Sequence, residues 1–138
     1  MPVTYRIHRD LGLVHIRYEG VAWISESFEA VERYMQDPDF RPAQKQLVDL
    51  SALTEIKMVY AQLFALQAKK AEAFLRGPEN LIVYYAPTDY AQSLARMISR
   101  SWDDVGDVVP VVHDDEAEAL ALLGLSETTL DALQKRSA

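Results

Sequence analysis

Near the start of the chain, apolar and polar residues alternate with a period of two. Val3–His8 and Leu13–Tyr18 read as strands joined by the turn Arg9-Asp10-Leu11-Gly12. Antiparallel pairing across that turn sets Ile7 against Val14 and Tyr5 against Ile16 on one face. The other face receives His8 against Leu13, Arg6 against His15 and Thr4 against Arg17. One apolar and one mostly polar face predict a hairpin covered on one side, with His8 and His15 as solvated strand residues.

The period then lengthens to that of a helix over Trp23–Gln36. Ile24, Phe28, Val31 and Met35 form its apolar stripe, with Glu26, Glu29, Glu32 and Arg33 opposite. Asp37-Pro38-Asp39-Phe40-Arg41-Pro42 breaks it, because proline disfavours helical geometry in the residue before it. Gln46–Leu50 reads as a short buried strand. Met58–Arg76 reads as a long helix that Gly77-Pro78 stops. Leu81–Tyr85 is apolar without alternation, as a central strand should be. Thr88 suits an N-cap, and Ala91, Leu94, Ala95, Ile98 and Trp102 make the stripe of the helix that follows. Val108–Val112 carries Pro110, which cannot donate to a ladder and places this strand at a sheet edge. Asp114 then caps a helix with Asp115, Glu116 and Glu118 in its first turn, ended by Gly124. A last short helix starts at Ser126, anchored by Leu130 and Leu133.

This order requires helical crossovers between parallel strands, and such crossovers are right-handed. Sequential addition of strands puts the connecting helices on one face and the Pro110 strand last. The predicted fold is α/β: a mixed, mainly parallel five-stranded sheet with an N-terminal antiparallel hairpin and helices mainly on one face. The last helix covers the open face of its own sheet or of a second copy.

The layout resembles the STAS family, the SpoIIAA-like fold of bacterial anti-sigma-factor antagonists. Gln46-Leu47-Val48-Asp49-Leu50-Ser51-Ala52-Leu53-Thr54 is similar to that family's third strand and the loop after it. Leu81–Tyr85 with Ala86-Pro87-Thr88-Asp89 is similar to the next strand and helix cap. Asp114-Asp115-Glu116-Ala117-Glu118-Ala119-Leu120, closing at Leu123-Gly124, resembles the final helix. Ala86–Asp89 and Ala95-Arg96-Met97 look closest to uncharacterised STAS-like members grouped with SEC14-type lipid-binding domains. The resemblance implies one domain over residues 1–125, followed by a helical tail over 126–138. One departure matters: the antagonists' phosphorylatable Asp-Ser-Ser-Gly segment is replaced by Lys57-Met58-Val59-Tyr60. A serine switch of the standard kind is therefore not expected.

Composition narrows the chemistry further. The 138 residues contain no cysteine, which removes disulfides, thiolate metal sites and cysteine nucleophiles, and fits a reducing compartment. No stretch reads as a signal peptide or membrane span, so a cytoplasmic protein is expected. Fourteen basic against twenty-one acidic residues give a net charge of −7, which argues against nucleic acid as a partner.

His8, His15 and His113 are the only histidines, and nothing in their spacing predicts a metal site. His113 reads as the end of a strand before an acidic cap. No serine sits in a Gly-x-Ser-x-Gly elbow, and no glycine-rich phosphate loop occurs. Glu26, Glu29 and Glu32 read as a solvated helix face. No catalytic residue, metal or cofactor is expected.

Ligands of parallel α/β sheets bind near the carboxyl ends of the strands. That edge should collect Asp49, Ser51, Thr88, Asp89 and His113. Gln92, Arg96 and Arg100 add a cationic ridge at four-residue spacing on an acidic protein. Together they read as a docking surface for an acidic partner or small anion. Tyr60, Phe64 and Phe74 on the long helix, with Trp23, Tyr84, Tyr85 and Trp102, read mainly as core. The sequence thus predicts a non-enzymatic, STAS-like regulatory or protein-interaction module, expected to form a homo-oligomer such as a homodimer. The alternative is a small-molecule or lipid-binding domain with an apolar pocket near the long helix.

Overall fold

The computed structural model describes residues 2–74, 80–102 and 108–136. The opening hairpin forms as its alternation dictates. Strands β1 (Val3–His8) and β2 (Leu13–Trp23) pair antiparallel in the register the sequence predicts, from Val3 opposite Tyr18 to His8 opposite Leu13. A short 3-10 turn, Arg9–Leu11, joins them, and Gly12 closes it at φ 59°, where a side chain would be strained.

The remaining strands are β3 (Lys45–Lys57), β4 (Asn80–Tyr85) and β5 (Val108–His113). They follow in parallel, so the sheet order is β1-β2-β3-β4-β5. Pro110 lies on the edge strand, opposite Ile82, where its missing N–H interrupts no outer ladder.

Two strands outrun the sequence expectation. β2 continues past Tyr18 to Trp23, and β3 past Leu50 to Lys57, with irregular register at Arg17/Glu19 and Gly20/Val21. Gly20 sits at φ 61° beside the second shift, and at both shifts β3 carries one residue more than β2, which bulges β3 within the longer ladder. β4 pairs with β3 only over Gln46–Asp49. Beyond Asp49, β2 and β3 therefore project as a two-stranded parallel ribbon.

Helices α1 (Ile24–Gln36), α2 (Tyr60–Phe74) and α3 (Asp89–Arg100) connect these strands and share one face of the sheet. α1 turns in Ile24, Ala30, Val31 and Tyr34. α3 turns in Ala91, Leu94 and Ala95, and Thr88 accepts the Ala91 N–H at its start as expected. Gly77-Pro78, read as the stop of the long helix, lies outside the described residues.

The opposite face is not open. After β5 the chain needs no further crossover, and α4 (Glu116–Leu122) and α5 (Leu130–Gln134) fold onto that face. Ala119, Leu120, Leu123 and Leu133 bury Leu13, Leu47, Val83 and Tyr85. This corrects the one-sided hairpin: His8 and His15 are buried, 1% and 3% exposed, beneath the covering helices. The last helix packs on its own sheet. Two boundaries also move, since Asp115 rather than Asp114 caps α4, and Thr129 caps α5 well after Ser126.

Cations from the sheet tie these short helices down. Lys45 Nζ donates to the Leu123 carbonyl at 2.8 Å. The Arg6 guanidinium donates to the Gln134 and Arg136 carbonyls at 2.6 and 2.9 Å, satisfying groups that a helix end leaves unpaired. Arg136 in turn pairs with Glu127 at 2.7 Å and with Asp10. Among the described residues no helix is long and apolar enough to cross a membrane.

Candidate functional site

The parallel strands bring the sequence-predicted residues to one end of the sheet but not to one surface. Arg17, Asp49, Tyr85 and His113 form a single row across β2 to β5. Asp49 is 1% exposed, on the face that α4 and α5 cover, and does not reach a docking surface. Its Oδ2 lies 3.1 Å from His15 Nε2, and its Oδ1 accepts from the Ser51 N–H at 3.0 Å and the Ser51 hydroxyl at 2.6 Å. Burial alone would raise this carboxyl, but the His15 and Ser51 hydrogen bonds outweigh it and hold it below its ordinary value. Ser51 is thereby spent on Asp49, as Thr88 is spent on its cap.

Gln92, Arg96 and His113 do meet. With Val112 and Asp114 they line an open groove of about 170 Å³ between α3 and the end of β5. Arg96 reaches back to Gln92 Oε1 at 3.5 Å, and Arg100 Nε donates to the Arg96 carbonyl at 3.3 Å, so the ridge runs along α3. Asp89 is exposed at its first turn. His113 Nδ1 accepts the Asp115 N–H at 3.0 Å. That fixes the ring proton on Nε2, which lies 2.6 Å from Glu118 Oε2. His113 thus buttresses the start of α4, in keeping with a strand end before an acidic cap. Among the described residues no group of three or more His, Asp or Glu side chains is arranged to hold a metal ion.

A second feature gathers where the β2–β3 ribbon ends. Val21 and Trp23 on β2, Val59 and Phe64 at the start of α2, and Tyr90 at the start of α3 are exposed on the segments that lead to it. Trp23 lies opposite Lys57, whose ammonium sits 4.9 Å from the indole ring centre. The Tyr90 hydroxyl accepts the Ile56 N–H at 2.9 Å, which brings the start of α3 against the same ribbon. Trp23 and Phe64 therefore depart from the core assignment, while Tyr84, Tyr85 and Trp102 keep it. The side chains of Tyr60 and Phe74 lie outside the described residues.

A third feature was not predicted. Lys70, on the inward face of α2, is 5% exposed and lines a cavity of about 20 Å³. Tyr18, Leu50, Leu66, Tyr84 and Leu94 belong to the same wall. Burial lowers its amine from the ordinary 10.5 to about 8. One signal in the sequence could have found it: Leu63, Leu66 and Lys70 share a helix face, so a lysine occupies an apolar stripe.

No protein-family model matches this sequence, and no curated protein matches it.

Proposed function

We propose that this chain is a non-enzymatic, STAS-like regulatory module that binds a protein partner at the end of its β2–β3 ribbon and along α3. The observation that carries this reading is the set of large apolar side chains left exposed on the segments that meet at the ribbon end: Val21 and Trp23 on β2, Val59 and Phe64 at the start of α2, and Tyr90 at the start of α3. Exposed apolar patches on small domains mark interaction sites, and tryptophan, tyrosine and arginine dominate binding energy where they occur. The Arg96–Arg100 ridge lies further along the same helix, with Arg96 beside the end of β5, and favours an acidic partner, or a second copy of this acidic chain.

The test compares the wild-type chain with Trp23→Ala/Tyr90→Ala and with Arg96→Glu/Arg100→Glu. Sedimentation velocity reads self-association, and cross-linking in native extract followed by mass spectrometry maps foreign partners. Loss of an associated species by about tenfold or more in both variants supports the reading. Association undiminished in both variants, or turnover of a substrate by the purified chain, rejects it.

The alternative of a small-molecule or lipid-binding domain draws support from the apolar cavity beneath α2. That space holds one or two waters, so an apolar ligand of any length requires α2 to move outward.

A further inference from the structure

Lys70 is a basic side chain only 5% exposed, set in a mostly apolar interior. Lysines on surface helices ordinarily run their stems along apolar surface and keep the ammonium in water. Its neighbour Lys69 does so, with its ammonium 3.8 Å from Glu32. Lys70 instead points inward, and it lines two voids, of about 20 and 10 Å³, that also share Tyr18 in their walls. No carboxylate lines either void, and the amine has no hydrogen-bond or ion-pair partner among the described residues. Three residues that line the larger void, Ile56, Met58 and Ile98, are half-buried, so its wall reaches the surface on the side of the end of β3 and α3.

We propose that Lys70 is a covalent attachment site for short-chain aliphatic aldehydes, which its amine captures as an imine inside this cavity. The aliphatic walls select an uncharged, apolar reactant, and the volume restricts it to a few heavy atoms. An amine desolvated in an apolar pocket is a nucleophile primed for carbonyl chemistry. Its lone pair attacks the carbonyl carbon, forming the C–N bond as the π electrons move to oxygen. A proton transferred from nitrogen to oxygen gives the carbinolamine. Loss of that hydroxyl together with the second amine proton releases one water and leaves the C=N bond. No oxidant or further reactant is needed. Few waters fit beside the product, which slows the hydrolysis that reverses the step. The lowered basicity of Lys70 supports the same chemistry. At pH 7.5 a quarter or so of such amines are neutral, against roughly one in a thousand for an ordinary lysine.

The test exposes the full chain to acetaldehyde with sodium cyanoborohydride at pH 7.5, which fixes any imine as an N-ethyl group, and follows each lysine by peptide mapping. Lys69 is the internal standard and requires no variant. Ethylation of Lys70 at least about tenfold faster than Lys69 is expected, with the advantage gone in denaturant. Its rate should rise with pH and level off above about 8. A Lys70→Met chain that melts cooperatively should show no fast lysine. Ethylation of Lys70 no faster than Lys69 in the folded chain, or an advantage that persists in denaturant, overturns the proposal.

Discussion

At Asp49, three hydrogen bonds from His15 and Ser51 oppose the cost of taking a carboxylate out of water, and the bonds win. Asp49→Asn keeps an acceptor for Ser51 but puts an amide nitrogen or a misplaced oxygen before His15. We expect it to cost about 1–3 kcal/mol in urea unfolding at pH 7. Asp49 has a folded-state value below its ordinary 3.8, so its stabilising contribution is present above that pH. It is lost as pH falls through the folded value, and variant and wild type should converge in acid. Lys70 has the opposite sense. Its amine titrates near 8 in the folded chain against 10.5 when free, so folding at neutral pH confines an unpaired charge. Lys70→Met should raise stability by roughly 2–3 kcal/mol at pH 7. The gain should shrink as pH rises from about 8 to 10.5, because the wild-type amine is then already neutral when folded. Unfolding series at pH 7 and pH 10 check both the size and the sign.

The smallest elements depend most on side chains from elsewhere. α5 has five residues, too few to persist alone, and is held by Leu133 in the second core and by Arg6 at its carbonyl end. Arg6→Ala should speed amide exchange over Leu130–Gln134 by about tenfold or more, which is about 1.4 kcal/mol of local stability, and leave β3 and β4 protected. Acid should act in the same direction. His8 lies beneath this cover, and its basicity is lowered by burial first and then by Arg6, His15 and Arg136, against the opposing charge of Asp10. Its stabilising share is complete above 6.5 and fades as pH falls below that value, so exchange in α5 should rise there before the sheet opens. At the other end, the β2–β3 ribbon has only two strands beyond Asp49, a length of sheet that is marginal in water. The Ile56–Tyr90 hydrogen bond and the Trp23–Lys57 contact brace it.

Over the whole molecule, burial is divided between the two faces of the sheet, and function is proposed for the surface that belongs to neither. Trp23 and Tyr90 are 53% and 42% exposed but brace the ribbon, so replacing both should loosen its end and lower global stability by about 1–2 kcal/mol. Thermal melts and amide exchange at Ile56 and Lys57 beside the binding measurement separate lost recognition from a loosened ribbon, and Tyr90→Phe, which removes the hydroxyl brace and keeps the ring, should retain binding if the ring is what the partner reads. The net charge of −7 leaves the Arg96–Arg100 ridge as a local exception on an acidic surface, and its contribution to association should weaken as salt rises.

The sequence by itself determined what depends on neighbours along the chain. The hairpin register follows from alternation and the Gly12 turn, α1 and α3 from helical stripes and caps, and the edge position of β5 from Pro110. Strand order followed too, because right-handed crossovers leave few topologies. Tertiary structure decided whatever depends on what lands on what. His8 and His15 read as solvated until two helices more than a hundred residues later covered them, since local polarity does not reveal a distant cover. β2 and β3 read as short because Gly20 and the polar Ser51, Thr54 and Glu55 look like strand ends, while pairing with each other extends both. Asp49 and Ser51 were legible as a pair at the sheet end, but the face they point to was fixed only by the pleat and by α4 and α5. Lys70 is the clearest case. Its place in the stripe of α2 was visible in the sequence, but whether its amine curls out to water or turns inward depends on how α2 seats against the sheet.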